Sequence, residues 1–213
     1  MEVNHMISMQ KPLEQILQES REIHTWTISS LDGIPFPVNK RLLISIAAFD
    51  VVLDHFTGIT ALIEKRIYGA AFALARPLFE TFVRAVWLKD CGTDRDLLSF
   101  ERDEFSKSFG QALKQIEQLE SFKSGTLSNL KKQAWSAMSS YTHGGFQQIA
   151  RRVKGKTIDP NFTDEEIIEV LRLSQAFSLM AFIQIVLVAN RRDLEQLAIQ
   201  KLYELRLFER ASS

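Results

Sequence analysis

Cysteine is almost missing: Cys91 is the only one in 213 residues. An internal disulfide framework and a paired-cysteine zinc site are therefore excluded, and a reducing cytoplasm is the expected compartment. Neither sign of charge is in excess, with Lys plus Arg and Asp plus Glu at 26 each. No global field draws the chain onto nucleic acid or an anionic membrane, so any such binding must be local. Glycine and proline are sparse, 9 and 5, and no Pro/Gly/Ser-rich stretch forms a linker, which predicts one domain over 1–213. The longest greasy run, "AFSLMAFIQIVLVAN" at 176–190, is interrupted by Ser178 and Gln184 and falls short of the roughly 20 residues a bilayer needs. It reads as a buried core helix, and no membrane partner is expected. The opening "MEVNHMISMQKP" lacks the basic-then-apolar layout of a secretory signal. P-loop, GxGxxG, HExxH and GxSxG patterns are absent, which removes the usual support for NTPase, dinucleotide-binding, zincin and α/β-hydrolase readings.

What is present is apolar spacing of three and four residues nearly everywhere, with few alternating stretches, and this predicts an all-α bundle. A first helix is expected from about Lys11 to Ser30, stopped by Gly33, Pro35 and Pro37. Asn39 caps a second to about Lys65, and a turn near "RIYG" leads to a third through Asp90, ended by Cys91 and Gly92. Together they make a long antiparallel hairpin over 39–90. A polar helical region continues to about Phe122, with a break expected between Ser106 and Gly110, and then a helix from about Leu130 to "YTHGG". A short helix on "FQQIARRV" precedes the loop "KGKTIDPN". Thr163 with Glu166 three residues on reads as a capping box, opening a buried helix to Ala189. A last, amphipathic helix spans about 193–210. The bundle core is expected over about 39–190, with the terminal helices packed on it.

The stretch "ARPLFETFVRAVWL", 75–88, sets Arg76, Glu80 and Arg84 four apart among apolar residues. At 100° per residue the three drift by only about 40° per step and share one band. Asp50 and Asp54 repeat the spacing on the preceding helix, and the hairpin register sets Asp50 level with Arg84, predicting a contact between them. Pro77 removes a backbone donor beside Arg76 and frees a carbonyl one turn earlier. One reading is a structural ion-pair network. The other is a polar pocket in which an arginine binds an anion and a carboxylate moves a proton.

"SSYTHGG", 139–145, favours the pocket. His143 stands at a helix end before Gly144 and Gly145, with Tyr141 and Thr142 beside it, a donor-rich corner into which a ligand could come close. "RRVKGK", 151–156, adds Arg151 and Arg152 as phosphate candidates. Asp50, Asp54, Glu80 and His143 could in principle gather around a metal, but the Glu-x-x-His pairs of carboxylate-bridged bundles are missing from the core. No metal or cofactor is expected.

The pattern A-x-A-R-P-L-F-E-x-x-x-R-A-x-W-L with a distant S-x-Y-T-H-G-G after it resembles a group of uncharacterised bacterial helical proteins viewed as distant relatives of the HEPN superfamily. The resemblance covers about 40–190 and rests on Arg76, Glu80, Arg84, Trp87, His143 and Gly144. It implies a helical bundle, commonly dimeric, that cleaves RNA without metal in toxin, antiphage or RNA-processing systems, with an arginine and a histidine at the phosphate and the 2′-hydroxyl. The usual nuclease motif keeps both residues within one helix, whereas no arginine lies in the window before His143, so the arginine comes from Arg84 or Arg76. The expectation is thus an effector on RNA or a nucleotide, with Arg84, His143 and Glu80 catalytic and Arg76, Asp50, Tyr141, Arg151 and Arg152 binding substrate. The alternative is a non-catalytic interaction protein. A homodimer is expected as well, because Leu194, Leu197, Leu202, Leu205 and Leu207 present more apolar surface than one neighbour covers.

Overall fold

A computed structural model describes residues 12–104 and 107–205. The helices are α1 Leu13–Leu31, α2 Lys40–Glu64, α3 Tyr68–Asp90, α4 Asp94–Glu101, α5 Phe109–Ile116, α6 Thr126–Thr142, α7 Phe146–Ala150, α8 Asp164–Val188 and α9 Arg192–Glu204, with a single 3₁₀ turn at Glu120–Phe122. The all-α architecture is as the periodicity predicts, and most caps are where their residue types place them. The Asn39 side chain accepts from Leu42 N at 3.1 Å. Thr93 with Asp96, Ser108 with Gln111 and Thr163 with Glu166 each form a reciprocal capping box. The loop expected after Arg152 instead makes a two-residue hairpin, β1 Val153–Lys154 against β2 Thr157–Ile158, turned by Gly155 at φ +61°. α4 ends at Glu101 and α5 begins at Phe109, so a break falls at the start of the expected 106–110 stretch, while the continuation of α9 toward 210, with Leu207, lies outside the described residues.

α2 and α3 form the antiparallel hairpin, and α8 packs against both. Phe49, Phe56, Phe79, Phe82, Trp87, Phe177 and Phe182 of these helices are fully buried. Phe177 of α8 meets Phe79 and Phe82 of α3 at ring distances of 5.1 and 5.2 Å. α1 is pinned across α8 by the buried Gln175, whose Nε2 donates to Ile16 O at 3.2 Å and to Ser20 Oγ at 2.8 Å. An amide buried this way must be bonded, and these partners satisfy it.

By length and composition α2 and α8, each of 25 residues, are apolar enough to cross a membrane, which the interrupted run at 176–190 did not suggest. α8 is mostly buried in the bundle, whereas only a third of the most apolar stretch of α2 is, leaving Leu43, Ala47, Asp50, Val51 and Asp54 exposed. α9 lays Leu194 and Ala198 against α8, and Leu205 is also buried. Of the leucines that motivated a dimer through this helix, Leu194 and Leu205 are therefore covered within the chain, Leu202 partly so, and Leu197 is left 48% exposed.

Candidate functional site

Arg76, Glu80 and Arg84 lie along the rim of α3 rather than in its buried face. Arg76 and Glu80 are half-buried, their side chains 19% and 28% exposed, and Arg76 Nε donates to Glu80 Oε1 at 2.9 Å. The end of α6 comes to the same point, so that Arg76 Nη1 reaches His143 Nε2 at 2.8 Å. Trp135, two turns earlier on α6, slides its ring under the guanidinium, 4.5 Å from Cζ to the ring centroid. Its indole in turn stacks on Phe109 of α5 at 4.4 Å and 16°. Lys131 Nζ lies 5.6 and 5.7 Å from those two rings. A cation on an aromatic face is attracted by the ring quadrupole and keeps its hydrogen-bonding edge available.

The Arg76–His143 contact assigns the imidazole's proton. A guanidinium only donates, so Nε2 is the acceptor, and the tautomer that fits this contact carries its hydrogen on Nδ1. Arg76 has five N–H bonds, of which one goes to Glu80 and one to His143. Nη2 makes no hydrogen bond among the described residues, so donors remain for an anion.

The backbone around His143 accounts for the paired glycines. His143 N donates to Ser139 O at 3.1 Å to close α6, Gly144 turns at φ +64°, and Gly145 N then bonds Ser140 O at 2.6 Å. A Cβ on Gly145 would stand 2.5 Å from Ser140 Oγ and 3.0 Å from its Cα. The close approach that demands glycine is thus to α6 itself rather than to a ligand.

Arg84 and Asp50 do not meet. Both are exposed as residues; the Asp50 carboxyl is nonetheless partly desolvated among the apolar neighbours of α2, and this, with the neighbouring Asp54, pushes its pKa up, with no cation opposing. α2 turns Phe49, Val52, Leu53 and Phe56 inward, which rotates its aspartates outward and breaks the expected register pair. Arg84 instead lines, with Glu80, Val83, Lys107, Phe109 and Ala112, a notch of about 10 Å³, room for one water. Arg84→Met is consequently expected to lower stability by no more than about 1 kcal/mol, the range of exposed pairs, rather than the loss a buried partner would give. Thermal melting of the two proteins checks this, and a drop of many degrees would restore a structural role.

The remaining candidates make contacts within the fold. Tyr141 is buried against Phe72, ring distance 5.2 Å, and burial pushes its hydroxyl pKa up while Arg151 pulls the other way. Arg151 is ion-paired with Glu166 and donates to Asn161 O at 3.2 Å, tying the β-hairpin loop to the start of α8. Arg152 rests on Gly69 at the start of α3, where a Cβ would come within 2.9 Å of Nη2. Neither arginine bonds His143 or Arg76. The residues missed in the sequence are Trp135, Phe109 and Lys131. The signal for two of them was there, since 131, 135, 139 and 142 recur at helical spacing on the α6 face that ends at His143.

Among the described residues no three of His, Cys, Asp or Glu gather as a metal site. A larger open hollow of about 330 Å³, lined by Gln18, Arg21, Glu22, Thr25, Trp26 and Ser29 on α1, contains none of the candidate residues. Compared with known proteins, the chain matches a family of unknown function, DUF6988, over residues 49–207. No curated protein and no solved structure matches it.

Proposed function

Starting from the chain's membership of the DUF6988 family of unknown function, we propose that it is a HEPN-like effector acting on RNA or a nucleotide, as in toxin or phage-defence systems, with Arg76, Glu80 and His143 as its site. The observation that carries this is the 2.8 Å contact between Arg76 Nη1 and the unprotonated Nε2 of His143. It joins an arginine and a histidine from different helices at a half-exposed edge. Arg76 takes the role the sequence left open between itself and Arg84.

An arriving phosphate oxygen competes for the Nη1/Nη2 edge of Arg76, since charge-assisted bonds to a phosphate are stronger than one to a neutral imidazole. Glu80 keeps hold of Nε and so keeps the fork oriented. His143 Nε2, released, accepts the proton of the 2′-hydroxyl as that oxygen attacks phosphorus. The P–O5′ bond breaks, and a solvent proton completes the leaving 5′-oxygen, giving a 2′,3′-cyclic phosphate and a 5′-hydroxyl. Arg76 and, across the Trp135 ring, Lys131 offset the charge that gathers on the phosphate.

A second reading is favoured by the Arg76–Trp135–Phe109 stack: a half-buried arginine clasped on three sides is also what a structural tie in a non-catalytic interaction protein looks like. Assay of the wild-type protein and His143→Ala on RNA and nucleotides, and of growth arrest on expression, separates the two. Activity lost in a folded His143→Ala protein supports the first. Activity absent from wild type, or unchanged in the variant, leaves the stripe structural.

The proposal includes a cytoplasmic homodimer, supported by the exposed apolar positions Leu43, Ala47 and Val51 of α2 and Leu197 of α9. Sedimentation is expected to show a dimer at micromolar concentration, and a monomer at high micromolar concentration would remove this part.

A further inference from the structure

The proposed site depends on how α6 is held against α3, and one side chain joins them beside it. Pro77 has no N–H, so the carbonyl of Ala73, four residues earlier, lacks the helical donor that interior carbonyls of α3 have. Thr142 Oγ1 stands 3.1 Å from that oxygen and 2.9 Å from Met138 O. A hydroxyl has one hydrogen, shared here between its own helix and the carbonyl that Pro77 leaves open. The bond back to Met138 is one that any helical threonine can make. The bond to Ala73 is not: it reaches the facing helix, at a carbonyl whose helical position Pro77 leaves empty. Thr142 immediately precedes His143, and Ala73 lies within one turn of Arg76, so this bridge connects the two helices next to the Arg76–His143 pair.

We propose that Thr142 is a positioning residue of this site: by bridging to the Ala73 carbonyl freed by Pro77, it fixes the separation at which Arg76 donates to His143 Nε2 and so holds His143 in the Nδ1–H tautomer. This rests on the Arg76–His143 site of the proposed function, but it makes no use of a substrate. An imidazole freed from that donor returns to the Nε2–H form that unconstrained histidine prefers.

The test is nitrogen–proton correlation of the imidazoles in the ¹⁵N-labelled full chain, at alkaline pH where unperturbed histidines are neutral, with His143 assigned by loss of its signals in His143→Ala. Wild type is expected to show a protonated Nδ1 and an unprotonated Nε2. Thr142→Val keeps the side-chain shape and removes the hydroxyl, and its pattern is expected to shift toward Nε2–H, while Thr142→Ser restores the wild-type pattern. Pro77→Ala, which gives the Ala73 carbonyl its helical donor back, provides a variant expected to fold well and to shift the pattern in the same sense. A wild-type pattern in folded Thr142→Val, or in Pro77→Ala should Thr142→Val fail to fold, overturns the proposal. Because no RNA or nucleotide enters the measurement, that outcome is separate from failure of the activity assay.

Discussion

Arg76→Lys is expected to reduce turnover of RNA or nucleotide by about 10²-fold or more, the scale of removing one stabiliser of transition-state charge, with the fold retained. Lysine keeps the charge but is a point donor. It cannot hold Glu80 through one edge while offering a planar fork to a phosphate through the other. It also loses the flat stacking on Trp135, 4.5 Å away, that orients the guanidinium. His143→Ala is expected to lose at least as much, because no other described side chain bonds Arg76 Nη1. Arg84→Lys, outside this constellation and exposed, is expected to retain activity within a fewfold. A loss in Arg84→Lys as large as that in Arg76→Lys would mean that Arg84 also acts through its guanidinium geometry and that the site is not confined to the Arg76–His143 pair. Circular dichroism on each variant shows whether a loss reflects chemistry or unfolding.

Phe79→Ala is expected to give the largest stability loss, about 3–5 kcal/mol, or roughly 6–20 °C in melting temperature for a chain of this size. Its ring is fully buried and touches three elements at once, with ring distances of 5.1 Å to Phe177, 5.0 Å to Phe109 and 6.5 Å to Trp135. The cavity left by alanine would lie under the Phe109–Trp135 stack, so the indole that supports Arg76 should also loosen, and tryptophan fluorescence should shift before global unfolding. Phe146→Ala is the control: that ring is 81% exposed, and a change within about 0.5 kcal/mol is expected. If Phe79→Ala were as mild as the control, the bundle would not be organised around α3 and α8 as described.

Local chemistry was readable directly from the residues. Asn39 and Thr163 start helices because their side chains accept from the N–H groups that a helix's first turn leaves open, and both do so in the structure. Pro77 announced a freed carbonyl wherever its helix ended up, and Ala73 O receives Thr142. The band of Arg76, Glu80 and Arg84 was likewise a matter of helical geometry. Each of these features is set by a single helix and its own backbone, whatever packs against it.

Which of Arg76 and Arg84 meets His143 belonged to the tertiary structure. The two lie about 80° apart around α3. That is enough for one to fall beneath the end of α6 while the other faces outward. The expected Asp50 contact failed for a related reason. α2 is apolar on nearly every side, so its sequence does not say which stripe is inside, and only packing of Phe49, Val52 and Phe56 against α3 and α8 turned the aspartates out. Trp135 and Phe109 read separately as ordinary half-buried aromatics on two helices. They become a support for Arg76 only when α5 and α6 close over α3. Sequence by itself determined the helices, their caps and the residues able to carry charge and protons, because those depend on interactions within a turn or two of chain. Only the tertiary structure decided which charges meet, because that depends on the rotation of each helix about its axis, set by burial of the large side chains distributed around it.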